Sequence, residues 1–285
     1  MTLQDQLAPL REDTPSDAEI AAVFAAARPR PRRRTRRRLA LGLAAATAAT
    51  AVAIAALPAE DSSDPIALLR AAAATAADEP PAFTGYRYTE ILERFNDREQ
   101  RVENWVDRDW QGRAITDGRE RDFMYGDGPL LDLDITALPT EPKALLAALE
   151  ANERGQNWAP GLPTDDQVRF DVTYSLLLLL GTANTTPELR GALWGALALL
   201  PGLKPSDAKD PNGRDGDAVT LPAPLRRAIP WGTGHADVGT FTVIFDPDSS
   251  ELLSWSLTGV GGGTPDQVHT YLRSGHVRNL GDRPR

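Results

Sequence analysis

A run of 19 residues without a charged side chain, LALGLAAATAATAVAIAAL at 39–57, most constrains how this chain can fold. As an α-helix this run would extend about 28 Å, close to the thickness of the hydrocarbon core of a bilayer. Only six of its residues are Leu, Val or Ile and ten are Ala, so membrane insertion is favourable but weak. We interpret 39–57 as a transmembrane helix. The alternatives are a cleaved signal peptide, although no clean A-x-A site precedes PAEDSSD, and a soluble helix, although the run shows no polar face.

The charges on either side of this run predict its orientation. Residues 28–38 contain eight arginines, whereas the charges nearest the other end are acidic. The positive-inside rule therefore places the arginine side in the cytoplasm, where arginines also contact anionic lipid headgroups. The arginines directly before the run are Arg32, Arg33, Arg34, Arg36, Arg37 and Arg38. Residues 58–285 carry 22 basic and 35 acidic side chains, so we do not expect this part to bind nucleic acid, whose phosphates require a basic surface.

These features divide the chain into four segments of a single-pass cell-membrane protein. They are a basic cytoplasmic tail at 1–38, a transmembrane helix at 39–57, a stalk at 58–82 and an extracytoplasmic domain at 83–285. The stalk contains a helical stretch, DPIALLRAAAATAADEPP. The absence of cysteine excludes disulfides, thiolate metal sites, a cysteine nucleophile and a lipid anchor on cysteine.

The tail contains one short amphipathic helix in TPSDAEIAAVFAAARP. Ser16 and Glu19 match a capping box, and Ile20, Val23 and Phe24 fall on one helical face. The tail has no core of its own to bury this face. The helix is therefore either a docking site for a cytosolic regulator or a frayed or membrane-surface helix.

The sequence of the outer domain predicts strands, then helices, then strands. Alternating segments such as FTGYRYTEILER and EQRVENWVDRDW predict antiparallel strands, and TDG predicts a turn. Three helices follow, through KALLAALEA, DDQVRFDVTYSLLLLLG and PELRGALWGALALLPG, the last two capped by Thr164 and Thr186. The Leu176–Leu180 run predicts a helix buried against a sheet. This order indicates an α+β fold, with an antiparallel sheet packed on a layer of about three helices.

Aromatic residues supply the candidate ligand pocket. They could line an apolar pocket between sheet and helices or simply pack in the core: Tyr86, Tyr88, Trp105, Trp194 and Trp255.

Motifs that would indicate a catalytic or metal-binding site are weak in this sequence. Ser206 and Lys209 match S-x-x-K without its companion motifs, and DPNGRDGD fails the register of a calcium loop and predicts a turn instead. His269 and His276 lie seven residues apart, on opposite faces of a continuous strand. We therefore predict no catalytic, cofactor-binding or metal-binding residues and no cofactor.

Several segments together resemble an uncharacterised actinobacterial family of single-pass membrane proteins, often found beside extracytoplasmic-function sigma factors. The segments are YRYTEI, ENWVDRDWQGR, ALPTEPKALLAAL, PELRGALWGALALLPG, DPNGRDGDAV and FDPDSSELL. The resemblance implies a LolA-like outer domain, a curved antiparallel sheet half-wrapped around helices, which elsewhere binds lipoproteins or lipids or senses envelope stress. The resemblance assigns no catalytic residue to this chain. The tail departs from a zinc-type anti-sigma domain, because 1–38 contains neither His nor Cys.

Three functions follow as hypotheses. The first is a non-enzymatic, membrane-anchored envelope protein that binds or senses an apolar ligand or envelope partner and signals to a cytosolic regulator. The second is an anchored or secreted hydrolase using Asp and His, which requires a polar cleft with pKa-shifted carboxylates. The third is a purely structural envelope component.

Overall fold

The helices of the domain begin where the sequence supplies capping side chains. The computed structural model describes residues 64–80, 85–95, 98–122, 133–155, 164–224, 238–259 and 265–284. Within these ranges lie the helices α1 (Pro65–Ala77), α2 (Pro142–Gly155), α3 (Asp165–Thr182) and α4 (Pro187–Leu197). The hydroxyls of Thr164 and Thr186 accept hydrogen bonds from backbone N–H groups three residues later, at 3.2 and 3.3 Å. Both predicted caps of α3 and α4 are confirmed.

The strands of the described residues form one antiparallel sheet. They are β1 (Tyr86–Phe95), β2 (Arg98–Val106), β3 (Gly112–Thr116), β4 (Arg119–Asp122), β5 (Lys204–Ser206), β6 (Asp217–Pro224), β7 (Val238–Phe245), β8 (Leu252–Thr258) and β9 (Pro265–Val277). Their spatial order is β4-β3-β2-β1-β9-β8-β7-β6-β5. The strands before the helices thus join those after them through the pairing of β1 with β9. The predicted α+β fold with an antiparallel sheet is confirmed.

The residues of one hairpin turn and of the two edge strands explain where the chain reverses and where the sheet ends. Asp117 and Gly118, between β3 and β4, have φ angles of 48° and 77°, which the predicted tight hairpin turn requires. At one edge, β4 consists of four exposed charged residues. At the other edge, β5 is three residues long and contains Pro205, which has no N–H to donate. Both edges therefore disfavour the addition of another strand.

All four helices pack on one face of the sheet, the inner face, and α3 lies deepest. Each of residues 176–180 in α3 is at most 1% exposed, and the hydrophobic core joins them to inner-face residues such as Phe241, Trp255 and Tyr271. This confirms that the leucine run is a helix buried against the sheet. Among the described residues, no helix has the length and apolarity needed to cross a membrane.

The helical layer contains one helix more than the three predicted. Helix α1 falls within 58–82, the segment assigned to a stalk, yet its Leu69, Ala72 and Ala76 are buried in the core. Its close packing on α4 depends on Gly191, because a Cβ there would lie 2.8 Å from the backbone oxygen of Ala73. The helical stretch predicted in this segment is present, but its packing in the core was not predicted, because its buried face consists mainly of small side chains.

A buried ion cluster ties the helices to the sheet. Glu251, next to β8, receives hydrogen bonds from Arg87 of β1 at 2.5 Å and from Arg190 of α4 at 3.1 Å. Ser274 of β9 donates a third at 3.0 Å, and Arg190 also donates to the Leu180 backbone oxygen of α3 at 3.1 Å. Both arginines are at most 4% exposed. One carboxylate thus holds together α4 and two neighbouring strands.

A β-bulge in β9 changes the predicted placement of the histidines. His269 pairs with Glu93 and His276 with Arg87, and the register between β1 and β9 shifts between these two pairs. The extra residue places both histidines on the inner face, so the expectation of opposite faces is wrong. Their partners lie six residues apart on β1, about 20 Å, so the two histidines do not converge on one metal ion.

The predictions for the first part of the chain lie outside the described residues. They are the tail helix with Ile20, Val23 and Phe24, the arginines at 32–38 and the transmembrane helix at 39–57. They stay predictions.

Candidate functional site

The inner face carries a row of side chains across four neighbouring strands. Trp255 of β8 pairs with His269 of β9, His269 with Glu93 of β1, and Glu93 with Gln100 of β2. The indole and imidazole rings stack at 4.1 Å with an 11° interplanar angle. The Gln100 amide donates to the Glu93 carboxylate at 2.7 Å. We call these four residues the His269 row.

Aromatic side chains flank the His269 row on two sides. Phe95 of β1 approaches the His269 ring edge-on at 5.6 Å and is 37% exposed. On the other side, Tyr174 of α3 approaches Trp255 edge-on at 5.5 Å. Tyr174 in turn stacks on Phe170, whose ring lies 5.3 Å from that of Phe241 in β7. The site therefore runs from an aromatic half under α3 to a polar half near the β1–β2 hairpin.

Burial shifts the pKa values of the ionisable groups in this row in the direction that favours their neutral forms. It lowers the pKa of His269 to about 3, so the imidazole is uncharged at neutral pH. Burial also raises the pKa of Glu93, against the opposing effects of the Gln100 hydrogen bond and the positive charge of Arg121. A neutral ligand can contact such a surface without an uncompensated charge, whereas an ion would lose its hydration.

The hydrogen bonds of His269 define what chemistry it can perform. Its Nε2 lies 2.7 Å from the Gln267 amide nitrogen, and its Nδ1 lies 3.4 Å from a Glu93 carboxylate oxygen. With the amide donating to Nε2, the ring proton sits on Nδ1 and faces Glu93. A general base for a serine nucleophile needs a free Nε2. Here an amide occupies that nitrogen, so the Glu93–His269 pair is not arranged for hydrolysis.

The structure separates the five aromatic residues predicted to line a pocket. Trp255 lies in the His269 row. Trp194 of α4 is fully buried, packs on Phe245 at 4.9 Å and donates to the Ser250 backbone oxygen at 3.1 Å. The other three form a separate cluster with Val277 on the outer face of the sheet, opposite the helices: Tyr86, Tyr88 and Trp105. These three therefore do not line a pocket between sheet and helices.

The C-terminal segment covers the outer aromatic cluster. Trp105 donates its indole N–H to the Asp282 backbone oxygen at 2.5 Å. Arg283 forms two hydrogen bonds with Glu103, at 2.7 and 3.0 Å, and its guanidinium lies 6.0 Å from the Trp105 ring. Tyr88 donates to the same Glu103 carboxylate at 2.9 Å. The outer cluster is a packed structural contact.

The remaining sequence motifs have structural roles. The Ser206 hydroxyl accepts a hydrogen bond from the Ala208 N–H at 3.1 Å. Asp210 accepts two hydrogen bonds from Arg214, at 2.9 and 3.0 Å, and one from the Asn212 N–H at 3.0 Å. With both its oxygens engaged, Asp210 organises a turn, as predicted. Among the described residues, no three acidic or histidine side chains are grouped so as to hold a metal ion.

Two clefts open on other parts of the described surface. One of about 430 Å³ lies between Leu68 of α1 and the segments flanking β5 and β6. The other, of about 320 Å³, lies between α2, α3 and the residues after α4. Neither is lined by a residue of the His269 row. The 320 Å³ cleft includes Leu199, whose side chain is 46% exposed.

Sequence reasoning found Trp255 but not its neighbours in the site. Glu93 and Gln100 were placed correctly in alternating strands, yet their cross-strand partners depend on register. Phe95 was assigned to the turn FNDR, whereas the structure places it at the end of β1. The β-bulge shifts that register by one residue. Tyr174 lies in a helix that is buried on nearly every side, so periodicity gave no sign of which residues face the site. A pairing of β1 with β9, had it been predicted, would have brought His269 next to Glu93.

Comparison with known proteins yields little. No protein-family model matches the chain, and no curated protein matches it. A solved structure, the crystal structure of MucB, is similar at 15% sequence identity with a TM-score of 0.29. The match covers 79% of this chain and only 62% of the MucB chain, so this chain spans less than two thirds of that neighbour. A TM-score this low supports no argument about function, which must come from the site itself.

Proposed function

We propose that this chain is a membrane-anchored envelope protein whose outer domain is a non-enzymatic binding module. The His269 row and its flanking aromatic rings take an apolar ligand, or an apolar segment of an envelope protein. The observation that carries this proposal is the exposed Phe95 ring beside the His269 row, whose imidazole is buried and uncharged. Small-molecule sites are typically lined by apolar and aromatic side chains together with a few fixed polar groups.

The polarity of the site favours a neutral ligand with one polar end. On one side Phe170, Tyr174 and Trp255 form an aromatic cluster, of which Tyr174 is partly exposed. Glu93 and Gln100 offer hydrogen-bonding groups on the other. An amphiphile lying across the strands would match both halves, with its polar end toward the β1–β2 hairpin.

Hydrolysis is the alternative with an observation in its favour, because the domain contains buried carboxyls with shifted pKa values. Two of these carboxyls, Glu153 and Asp171, lie on α2 and α3, outside the His269 row, and a third, Glu93, lies beside His269. The Gln267 amide donates to Nε2 of His269, so the ring proton sits on Nδ1 and neither nitrogen accepts a proton in this tautomer. Binding therefore accounts for the described residues better than catalysis does.

The rest of the proposal depends on the sequence. Residues 39–57 anchor the protein, and the arginines at 32–38 keep the tail in the cytoplasm. The helix bearing Ile20, Val23 and Phe24 docks on a cytosolic regulator, such as a sigma-factor-associated protein. A LolA-like arrangement of the outer domain is consistent with helices packed on one face of a single antiparallel sheet.

Photo-crosslinking tests the ligand site. The full-length chain, in nanodiscs of phosphatidylcholine and phosphatidylglycerol, is irradiated with a diazirine-labelled hexadecanol, and labelled peptides are mapped by mass spectrometry. We expect labelling of β1, β8 and β9. Phe95→Ala should reduce it about fivefold, because roughly 1 kcal/mol of apolar contact is lost.

Leu199→Ala is the matched control, because Leu199 is similarly exposed at 46% but lies after α4. It should leave the labelling of β1, β8 and β9 unchanged. Labelling confined to 39–57, or equal labelling of the wild type and Phe95→Ala, would refute the site.

A further inference from the structure

The contact between α2 and α3 contains two buried carboxyl groups. The buried stripe of α2 is Leu145, Leu149 and Glu153, at successive four-residue steps. Glu153 is 0% exposed, and Asp171 on α3 is 7% exposed. Ser175, one turn beyond Asp171, lies with its hydroxyl 3.4 Å from a Glu153 carboxylate oxygen. A glutamate thus occupies the position where the helix pattern would place a third leucine.

Burial makes both carboxyls costly to ionise, and the charge of Glu153 adds to this cost for Asp171. Burial raises the pKa of Glu153 to about 7, and it raises that of Asp171 to about 7 with a further contribution from the charge of Glu153. The second carboxylate oxygen of Asp171 has no hydrogen-bond partner among the described residues. Two like charges in a water-excluded contact cannot both ionise without strain on that contact.

Cations on the surrounding elements are engaged elsewhere. On the two helices Arg154 pairs with Asp165 at 2.7 Å, and Arg169 with Asp166 at 3.7 Å. Glu150 is exposed on α2. Lys143 on the same helix is exposed as well. The charged groups of α4 are Glu188 and Arg190. The ionisable groups on the inner face of the strands that α3 contacts are Arg87, Glu93, Asp217, His269 and His276. Of the arginines among these groups, Arg87 and Arg190 bind Glu251.

We propose that Glu153 and Asp171 form a proton-binding site that makes the α2–α3 contact, and with it the domain, sensitive to pH. When protonated, the carboxyls are neutral and α2 packs closely on α3. When both have lost their protons, the adjacent charges repel and the C-terminal half of α2 loosens. This sensing role is independent of the ligand proposed for the His269 row.

The direction of the effect follows from linkage. The folded protein holds these protons up to a higher pH than the unfolded chain, whose carboxyls titrate near pH 4. The stability contributed by the pair is therefore complete below about pH 4 and is lost as the pH rises through about 7. Neutral to alkaline conditions open the contact, and acidic conditions close it.

Hydrogen–deuterium exchange on the full-length chain tests this proposal. Exchange of α2 peptides is measured at pH 6 and pH 8.5 and corrected for the intrinsic pH dependence of amide exchange. In the wild type we expect protection of α2 to fall about tenfold at the higher pH, the equivalent of one pKa unit. Glu153→Gln and Asp171→Asn, which keep the side-chain shape, should lose most of this difference.

Glu150→Gln is the control, because it removes an exposed carboxyl from the same helix. It should keep the pH dependence of the wild type. The proposal is overturned if wild-type α2 is equally protected at both pH values, a result that does not depend on any variant folding. It is also overturned if Glu153→Gln and Asp171→Asn loosen at pH 8.5 as much as the wild type.

Discussion

Replacing Glu251 with glutamine is expected to destabilise the domain by about 3–5 kcal/mol, because it leaves buried guanidinium groups without their counter-charge. Arg87 and Arg190 both bind this carboxylate, at 2.5 and 3.1 Å. The other acidic group near Arg190, Glu79, is 3.9 Å away. Glutamine keeps the shape of the side chain but carries no charge. Urea unfolding of the wild type and variant, followed by tryptophan fluorescence, gives the difference in free energy.

An exposed ion pair provides the comparison for Glu251. Asp165 and Arg154 are 79% and 50% exposed, so Asp165→Asn should cost less than about 1 kcal/mol. If Glu251→Gln lowers the free energy of unfolding by no more than Asp165→Asn does, the two arginines reach solvent in solution. Glu251 then does not hold α4 to the strands.

The Glu251 cluster also responds to acid. Burial alone would raise the pKa of Glu251, but Arg87 and Arg190 lower it far below its ordinary value. The carboxylate thus contributes stability above about pH 4, the value of a free glutamate, and this contribution is lost as the pH falls further. The Glu153–Asp171 pair has the opposite sign. Together they predict that the domain is less stable both in strong acid and above neutral pH.

Replacing Gly181 with alanine is expected to cost about 3 kcal/mol, the upper part of the range for overpacked cores. A Cβ at this position of α3 would lie 1.9 Å from the Tyr271 hydroxyl oxygen and 2.2 Å from the carbon that bears it. Tyr271 is 2% exposed within the core, so its ring has little room to move. The change would appear as a lower urea midpoint with little change in the slope.

Two further variants separate steric overlap from a general effect on the helix. Gly155→Ala adds a Cβ with no atom within 4 Å, and it should stabilise the protein by up to about 1 kcal/mol through helix propensity. Tyr271→Leu should restore part of the loss in the Gly181→Ala background, since it removes the colliding atoms. A Gly181→Ala protein as stable as Gly155→Ala would show that α3 and β9 are not in close contact.

The parts of this fold that could be predicted from sequence are those decided by neighbours in the chain. The caps at Thr164 and Thr186 and the Asp117–Gly118 turn each depend on a few consecutive residues, and all three are where the sequence places them. The buried leucine run of α3 was equally clear, because no polar residue interrupts it.

The candidate site was not predictable in the same way. Trp255, His269, Glu93 and Gln100 come from four strands, and the β-bulge decides which of their side chains meet. The aromatic pattern left pocket lining and core packing open, and Tyr86, Tyr88 and Trp105 pack on the outer face. Alternation shows that a strand has two faces, but it does not show which face the helices cover.

The pairing of β1 with β9 has a consequence for how the domain is made. These strands join residues as distant as Tyr86 and Val277, and the pairing lies inside the sheet rather than at its edge. While the chain is synthesised from its N-terminus, one side of β1 has no partner until the last strand emerges. Contacts this distant in sequence slow folding. Until β9 arrives, the open side of β1 is a template for pairing with other chains, so the domain depends on protection from aggregation before it is complete.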